Sequence, residues 1–191
     1  MAPRLILTGF MATGKSAVAA IVARRLGWPL IDTDQRLVAR AGKPVAAIFS
    51  EDGEPHFRRL EREVISEIAC DRCRCALCKR QRPAVVSTGG GALVDEANYR
   101  ALSATGVIIC LSARPEVIAR RVEKSRTERP KLLEGAKPLS ERIEELLAER
   151  RGAYARADVT VDTSDITVEE VAERVLAAFV RLGARRCARS A

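Results

Sequence analysis

The chain of 191 residues holds one histidine, His56, and one tryptophan, and aromatic residues make up only 4% of it. A single histidine leaves little for a His-rich metal centre, or for a Ser–His–Asp triad with alternatives. So few aromatics offer no stacking platform for bases, which disfavours a nucleic-acid-binding module. No apolar run reaches the roughly 18 residues that a membrane span needs. The start, MAPRLILTGF, lacks the longer apolar stretch and small-residue cleavage site of a signal peptide. The chain therefore reads as cytoplasmic, with no membrane partner and as a monomer. Lysine is scarce as well: Arg outnumbers Lys 27 to 6. An Arg-rich excess suits bidentate contact with carboxylates and phosphates, although the same usage also reads as compositional bias.

What is present is ordinary for a globular protein: 47% hydrophobic residues, 30% charged and a net charge of +8. That charge, spread along the chain, favours anionic partners. The length fits one domain with an insertion, and the composition excludes disorder along the whole chain. We expect one domain over 1–182 and a basic, frayed tail over 183–191.

Apolar runs and helical periodicities alternate throughout. Strands are predicted at 4–8, 28–31, 84–86, 106–111 and 159–162. Helices are predicted over Lys15–Gly27, Phe57–Cys70, Pro115–Lys124, Ser140–Tyr154 with Ser140 as its cap, and Thr167–Leu182 with a Thr167/Glu170 capping box. Between Arg36 and Ser50 helical pieces break at Gly42 and Pro44. The segment about 125–139, charged and broken by prolines, reads as a loop, and His56 reads as a solvated loop residue. Strands alternating with helices imply an α/β fold: a three-layer sandwich with a five-stranded parallel sheet and helices on both faces. Ligands in such sheets gather at the carboxyl ends of the strands, where Gly9, Asp32, Gly89 and Leu111 fall.

Gly9-Phe10-Met11-Ala12-Thr13-Gly14-Lys15-Ser16 matches G-x-x-x-x-G-K-[ST] between a strand and a helix. Backbone N–H groups from Gly9 to Ala17, with Ala12, Thr13 and Gly14 among them, can turn around phosphate oxygens at the positive end of the helix. Lys15 reaches the β- and γ-phosphates, and the Ser16 hydroxyl ligates Mg²⁺. Asp32-Thr33-Asp34 ends the second strand. One acid there can hold Mg²⁺ and the other can take a proton from a hydroxyl nucleophile. Asp34 also reads as a cap for a helix starting near Gln35.

These pieces resemble the shikimate kinase family: GFMATGKS, the DTD at 32–34, Phe57-Arg58-Arg59-x-Glu61, Thr88-Gly89-Gly90-Gly91, Arg129-Pro130 and Arg150-x-x-x-Tyr154, in the family's order. The resemblance covers nearly the whole chain. It implies a P-loop kinase fold and transfer of the γ-phosphate of ATP to the 3-hydroxyl of shikimate, with Mg²⁺. By that likeness Asp34 orients the hydroxyl and deprotonates it, with Lys15 and Arg129 as the other catalytic groups. Asp32 joins Ser16 at the metal. Arg58 and Arg150 clamp the substrate carboxylate, Glu61 holds Arg58, Gly89 to Gly91 meet the substrate, and Phe49 and Phe57 wall its pocket. Arg129, on a lid at about 125–139, closes over the phosphates. Phe49 and Phe57 also read as plain core residues. A kinase of another polyol, such as gluconate, would share the phosphate loop but need not carry the other motifs. A regulatory domain without catalysis would be expected to lose Lys15 or Asp34.

Two stretches depart from the family. The segment Thr163-Ser164-Asp165-Ile166-Thr167 holds no Arg, where some members use one against adenine, so Arg120, Arg121 or the backbone takes that contact. A basic insertion at about 70–83 carries Cys70, Cys73, Cys75 and Cys78. Four thiols so close in sequence are tight for one ion, and an extended helix end with free thiols competes with a metal or redox role. Cys110 reads as a small core residue and Cys187 as exposed.

Overall fold

In the computed structural model, residues 4–70, 82–124 and 138–188 are described, with side chains of the last helix described through Ala184. The Cys73, Cys75 and Cys78 thiols and Arg129 thus lie outside the described residues, as does nearly all of the proposed lid.

Five parallel strands form one sheet in the order β2-β3-β1-β4-β5, with β1 at Arg4–Gly9, β2 at Leu30–Asp32, β3 at Val85–Ser87, β4 at Gly106–Ser112 and β5 at Val159–Asp162. Strand β1 is buried along its whole length, as a strand covered on both faces must be. Its residues alternate between two cores. On one face Leu5, Leu7, Val107 and Ile109 pack against α1 (Lys15–Leu26) and α8 (Val168–Ala188) through Val18, Val22, Val171 and Val175. On the other face Ile6, Val86 and Ile108 meet α4 (Gly53–Cys70) through Phe57, Val64, Ile65 and Ile68. A third cluster of Phe10, Ile118, Ile143 and Leu146 joins the loop after β1 to α6 (Pro115–Glu123) and α7 (Leu139–Tyr154). Helices on each face of one parallel sheet make the three layers expected. At the amino edge of the sheet, the guanidinium of the fully buried Arg4 donates to the Ile68 carbonyl in the last turn of α4. Carbonyls there lack partners within the helix.

Several local readings are corrected. Helix α2 spans Thr33–Ala41, and its cap is Asp32, not Asp34: Oδ1 of Asp32 accepts the Asp34 and Gln35 N–H groups at 3.0 and 3.1 Å. Helix α7 starts at Leu139 on Pro138, and Ser140 does not cap it. Pro138 itself takes the extended backbone of an N-cap, with φ −55° and ψ 144°, so the helix begins one residue before Ser140. Helix α4 begins at Gly53 rather than Phe57, since Pro55 is tolerated in a first turn, so His56 is helical and not in a loop. A short α3 (Val45–Ala47) and a π-helical turn (Ile48–Asp52) lead into it. Helix α5 (Glu96–Ser103) falls where no element is predicted; Asp95 caps it by accepting the Ala97 and Asn98 N–H groups. Helix α8 runs on to Ala188 instead of ending at Leu182, its last turns rich in good helix formers. The capping box is formed as predicted, with Thr167 Oγ1 accepting the Glu170 N–H and Glu170 Oε2 accepting that of Thr167. Among the described residues, no helix is long and apolar enough to cross a membrane.

Candidate active site

The strand order decides the site. Because β3 lies between β2 and β1, the loop after β3 sits between the acids after β2 and the phosphate loop after β1. The sequence separation of these three pieces hides that adjacency.

The phosphate loop winds tightly. Gly9 has φ +129°, and a methyl group built on it would lie 2.1 Å from the Leu111 carbonyl oxygen. Only glycine fits there, because the obstacle is sheet backbone and cannot move aside. Gly9→Ala is expected to lower the melting temperature by about 10 °C or more, or to prevent folding; thermal denaturation checks it. Ala12 also takes a positive φ, 60°. The Lys15 ammonium and the Thr13 hydroxyl both donate to the Phe10 carbonyl, each at 2.8 Å. Ser16 and Ala17 lie in the first turn of α1, where backbone N–H groups lack helical partners.

The three glycines after β3 each face a different polar side chain. A methyl group on Gly89 would fall 2.8 Å from Asp34 Oδ1 and 3.0 Å from Glu61 Oε1. On Gly90 it would stand 3.4 Å from Gly9 O and Met11 N and 3.7 Å from Arg150 Nη1. On Gly91 it would lie 2.8 Å from both terminal nitrogens of Arg58. One bare stretch of backbone thus meets Asp34, Glu61, Arg150, Arg58 and the phosphate loop.

Arg58 is held as expected: Nη1 donates to Glu61 at 2.7 Å, and Nε and Nη2 donate to Glu54 at 3.3 and 3.1 Å. Glu54 is a partner that the sequence does not single out. Burial raises the Glu61 carboxyl pKa, against the pull of Arg58. Burial and the Asp32 charge likewise raise that of Asp34, against Lys15 and Arg58. Arg150 is buried over the Phe10 ring, 5.5 Å from its centroid. Phe49 and Phe57 stack at 4.5 Å; Phe57 is buried in the core beneath α4, and Phe49 packs against the same cluster.

Arg121 bridges the phosphate loop and the segment after β5, donating to the Ala12 carbonyl at 3.3 Å and to the Thr163 hydroxyl and carbonyl at 3.0 and 2.6 Å. Arg114 pairs side-on with Asp165 in the same segment. The segment without an arginine is thus met by two, Arg121 of α6 and Arg114 at its N-cap. A cavity of about 740 Å³ lies between α7 and the ends of β4 and β5, and its walls include neither Asp34 nor Arg58. Burial raises the Cys110 thiol pKa to about 11, in keeping with an inert core residue.

Two hydroxyls lie within the quoted motifs without being given a role by them. Thr33 accepts the Gly89 N–H at 3.0 Å, and Tyr154 donates to the Gly90 carbonyl at 2.6 Å. Tyr154 is visible in the sequence only as the end of Arg150-x-x-x-Tyr154.

The shikimate kinase family model matches residues 11–180. A shikimate kinase from Caldanaerobacter subterraneus subsp. tengcongensis is 42% identical over 181 residues, covering 95% of this chain and 98% of that one. The shikimate kinase structure from Bacteroides thetaiotaomicron has 31% identity and a TM-score of 0.77, covering 91% of this chain and 96% of that one. The enzyme from Acinetobacter baumannii in complex with shikimate gives a TM-score of 0.77 at 27% identity, covering 91% of this chain and 90% of that one. With the phosphate loop, the paired acids and the glycine loop brought to one edge of the sheet, this chain belongs to the shikimate kinase family.

Proposed function

We propose that the loop over 89–91 and the side chains facing it bind shikimate, and that Asp34 and Lys15 carry transfer of the ATP γ-phosphate to its 3-hydroxyl, giving shikimate 3-phosphate and ADP. The observation that supports this most is the triple glycine, where the space a side chain would fill is faced by Asp34, Arg150 and Arg58 in turn beside the phosphate loop. Arg58 and Arg150 offer guanidinium forks to the substrate carboxylate, with Glu61 and Glu54 holding Arg58. Asp34 accepts the hydroxyl proton as the oxygen attacks phosphorus, and the β-phosphate oxygen leaves with ADP. Lys15 moves from the Phe10 carbonyl to the phosphates. Arg129 and the rest of a lid over about 125–139 are assigned to closure over ATP by family likeness alone.

Mg²⁺ fits the donors available. Ser16 and Asp32 are hard oxygen ligands at the carboxyl edge of the sheet, and Asp32 uses only Oδ1 in its cap. When bound, the ion neutralises charge on the β- and γ-phosphates.

The direct test is ADP release from ATP and Mg²⁺ with shikimate, beside gluconate and no-acceptor controls. Turnover that requires shikimate supports the reading; turnover only with another acceptor overturns it. Arg58→Lys loses the planar fork while keeping a charge. It is expected to raise KM for shikimate about ten- to a hundredfold, with KM for ATP little changed. Steady-state kinetics in both substrates checks this.

A further inference from the structure

Thr33 and Tyr154 have no role in the chemistry above, yet each holds a backbone group of the glycine loop. Thr33, buried at the start of α2, takes the Gly89 N–H. Tyr154, the last residue of α7, gives its hydroxyl proton to the Gly90 carbonyl. The peptide plane between these two bonds joins the Gly89 carbonyl to the Gly90 N–H. The plane carries a tie of its own, its Gly89 carbonyl accepting the Ala92 N–H at 3.2 Å, and with no side chain at either glycine the two hydroxyls further restrict how it turns by holding the groups on each side.

Each hydroxyl is also coupled to a proposed substrate-facing group. Thr33 lies between Asp32 and Asp34, so the helix start that aims Asp34 aims the Thr33 hydroxyl too. Tyr154 follows Arg150 by one helical turn, so the guanidinium and the phenol move with the same segment of α7. Gly90 in turn lies beside the phosphate loop, where an added methyl group would meet Gly9 O and Met11 N at 3.4 Å. Each half of the acceptor side is thus bonded to a glycine loop that lies beside the phosphate loop. Burial raises the Tyr154 hydroxyl pKa to about 12, against the pull of Arg150, so the phenol stays a donor at neutral pH.

We propose that Thr33 and Tyr154 are positioning residues for the acceptor: alongside the Ala92 N–H they hold the Gly89–Gly90 peptide, and through it the placement of the acceptor hydroxyl relative to the phosphate loop. This rests on the reading of loop 89–91 as the shikimate-binding loop. Three variants test it: Thr33→Val and Tyr154→Phe, which remove one hydroxyl each, and Thr33→Ser, which keeps it. Steady-state kinetics is measured in shikimate and in ATP, with thermal melting alongside. Thr33→Val and Tyr154→Phe are expected to raise KM for shikimate about five- to tenfold, and KM for ATP less. Thr33→Ser is expected to stay close to the parent. A purely structural role would lower the melting temperature and leave KM for shikimate unmoved. That result, or equal impairment of Thr33→Ser and Thr33→Val, overturns the inference. Should Thr33→Val fail to fold, the shift in melting temperature that shikimate gives to Tyr154→Phe and Thr33→Ser reads the same affinities. A parent enzyme that turns over without shikimate would defeat the reading of the loop itself. A shikimate-dependent parent with indifferent variants would defeat only the roles of Thr33 and Tyr154.

Discussion

Asp34→Asn is expected to lower kcat about a thousandfold while leaving KM for ATP near the parent value. Asparagine matches aspartate in shape but cannot accept the hydroxyl proton. Its cap is unaffected, because Asp32 and not Asp34 binds the α2 N–H groups. The local fold therefore survives and the loss falls on chemistry. The stability effect should have the opposite sign. Burial and the Asp32 charge raise the Asp34 pKa, so the folded chain holds that proton more tightly than the unfolded chain. Stability then falls as pH rises from the ordinary aspartate range through the raised value, and remains lower at neutral pH. Asparagine carries no such cost, so Asp34→Asn should melt above the parent at neutral pH, with the gain shrinking as pH falls. An inactive variant with higher stability is the signature of a group strained for function. Retained turnover in a folded Asp34→Asn would remove Asp34 from the proton step.

Lys15→Met is expected to reduce kcat/KM for ATP about a thousandfold or more, through loss of the cation on the transferring phosphate. Methionine keeps most of the aliphatic stem. In the free protein the Phe10 carbonyl keeps its bond from Thr13 when the Lys15 bond is gone, so melting should move little. Nucleotide binding measured by calorimetry separates the two contributions. Weakened ATP binding with an unchanged bound-state rate would make Lys15 a binding group only. Turnover within tenfold of the parent would contradict the phosphate-loop reading altogether.

Much of this site is legible without coordinates because its parts are local. A phosphate loop is eight adjacent residues whose glycines and lysine act through neighbouring backbone. Arg58 and Glu61 share one helical face at a spacing of three, and their ion pair follows from that spacing alone. The alternation of apolar strands and amphipathic helices likewise prescribes a parallel sheet covered on both sides. Element ends are less legible: α5 is missed and α4 starts early, because caps and first-turn prolines compete with hydrophobic periodicity.

Sequence by itself determined the phosphate loop, the acid pair and the glycine run, since each is written in contiguous residues with a chemical reason for their spacing; Arg58 and Arg150 stand out in it only through likeness to the shikimate kinase family. Tertiary structure alone decided that β3 inserts between β1 and β2, so that Gly89, Gly90 and Gly91 face Asp34, Arg150 and Arg58 respectively. It alone gave the capping to Asp32, the second grip on Arg58 to Glu54, and the hold on the glycine loop to Thr33 and Tyr154. Strand order depends on which buried faces pack together across long stretches of chain. A hydrogen bond from a side chain to a distant backbone group leaves no periodicity in the sequence to betray it.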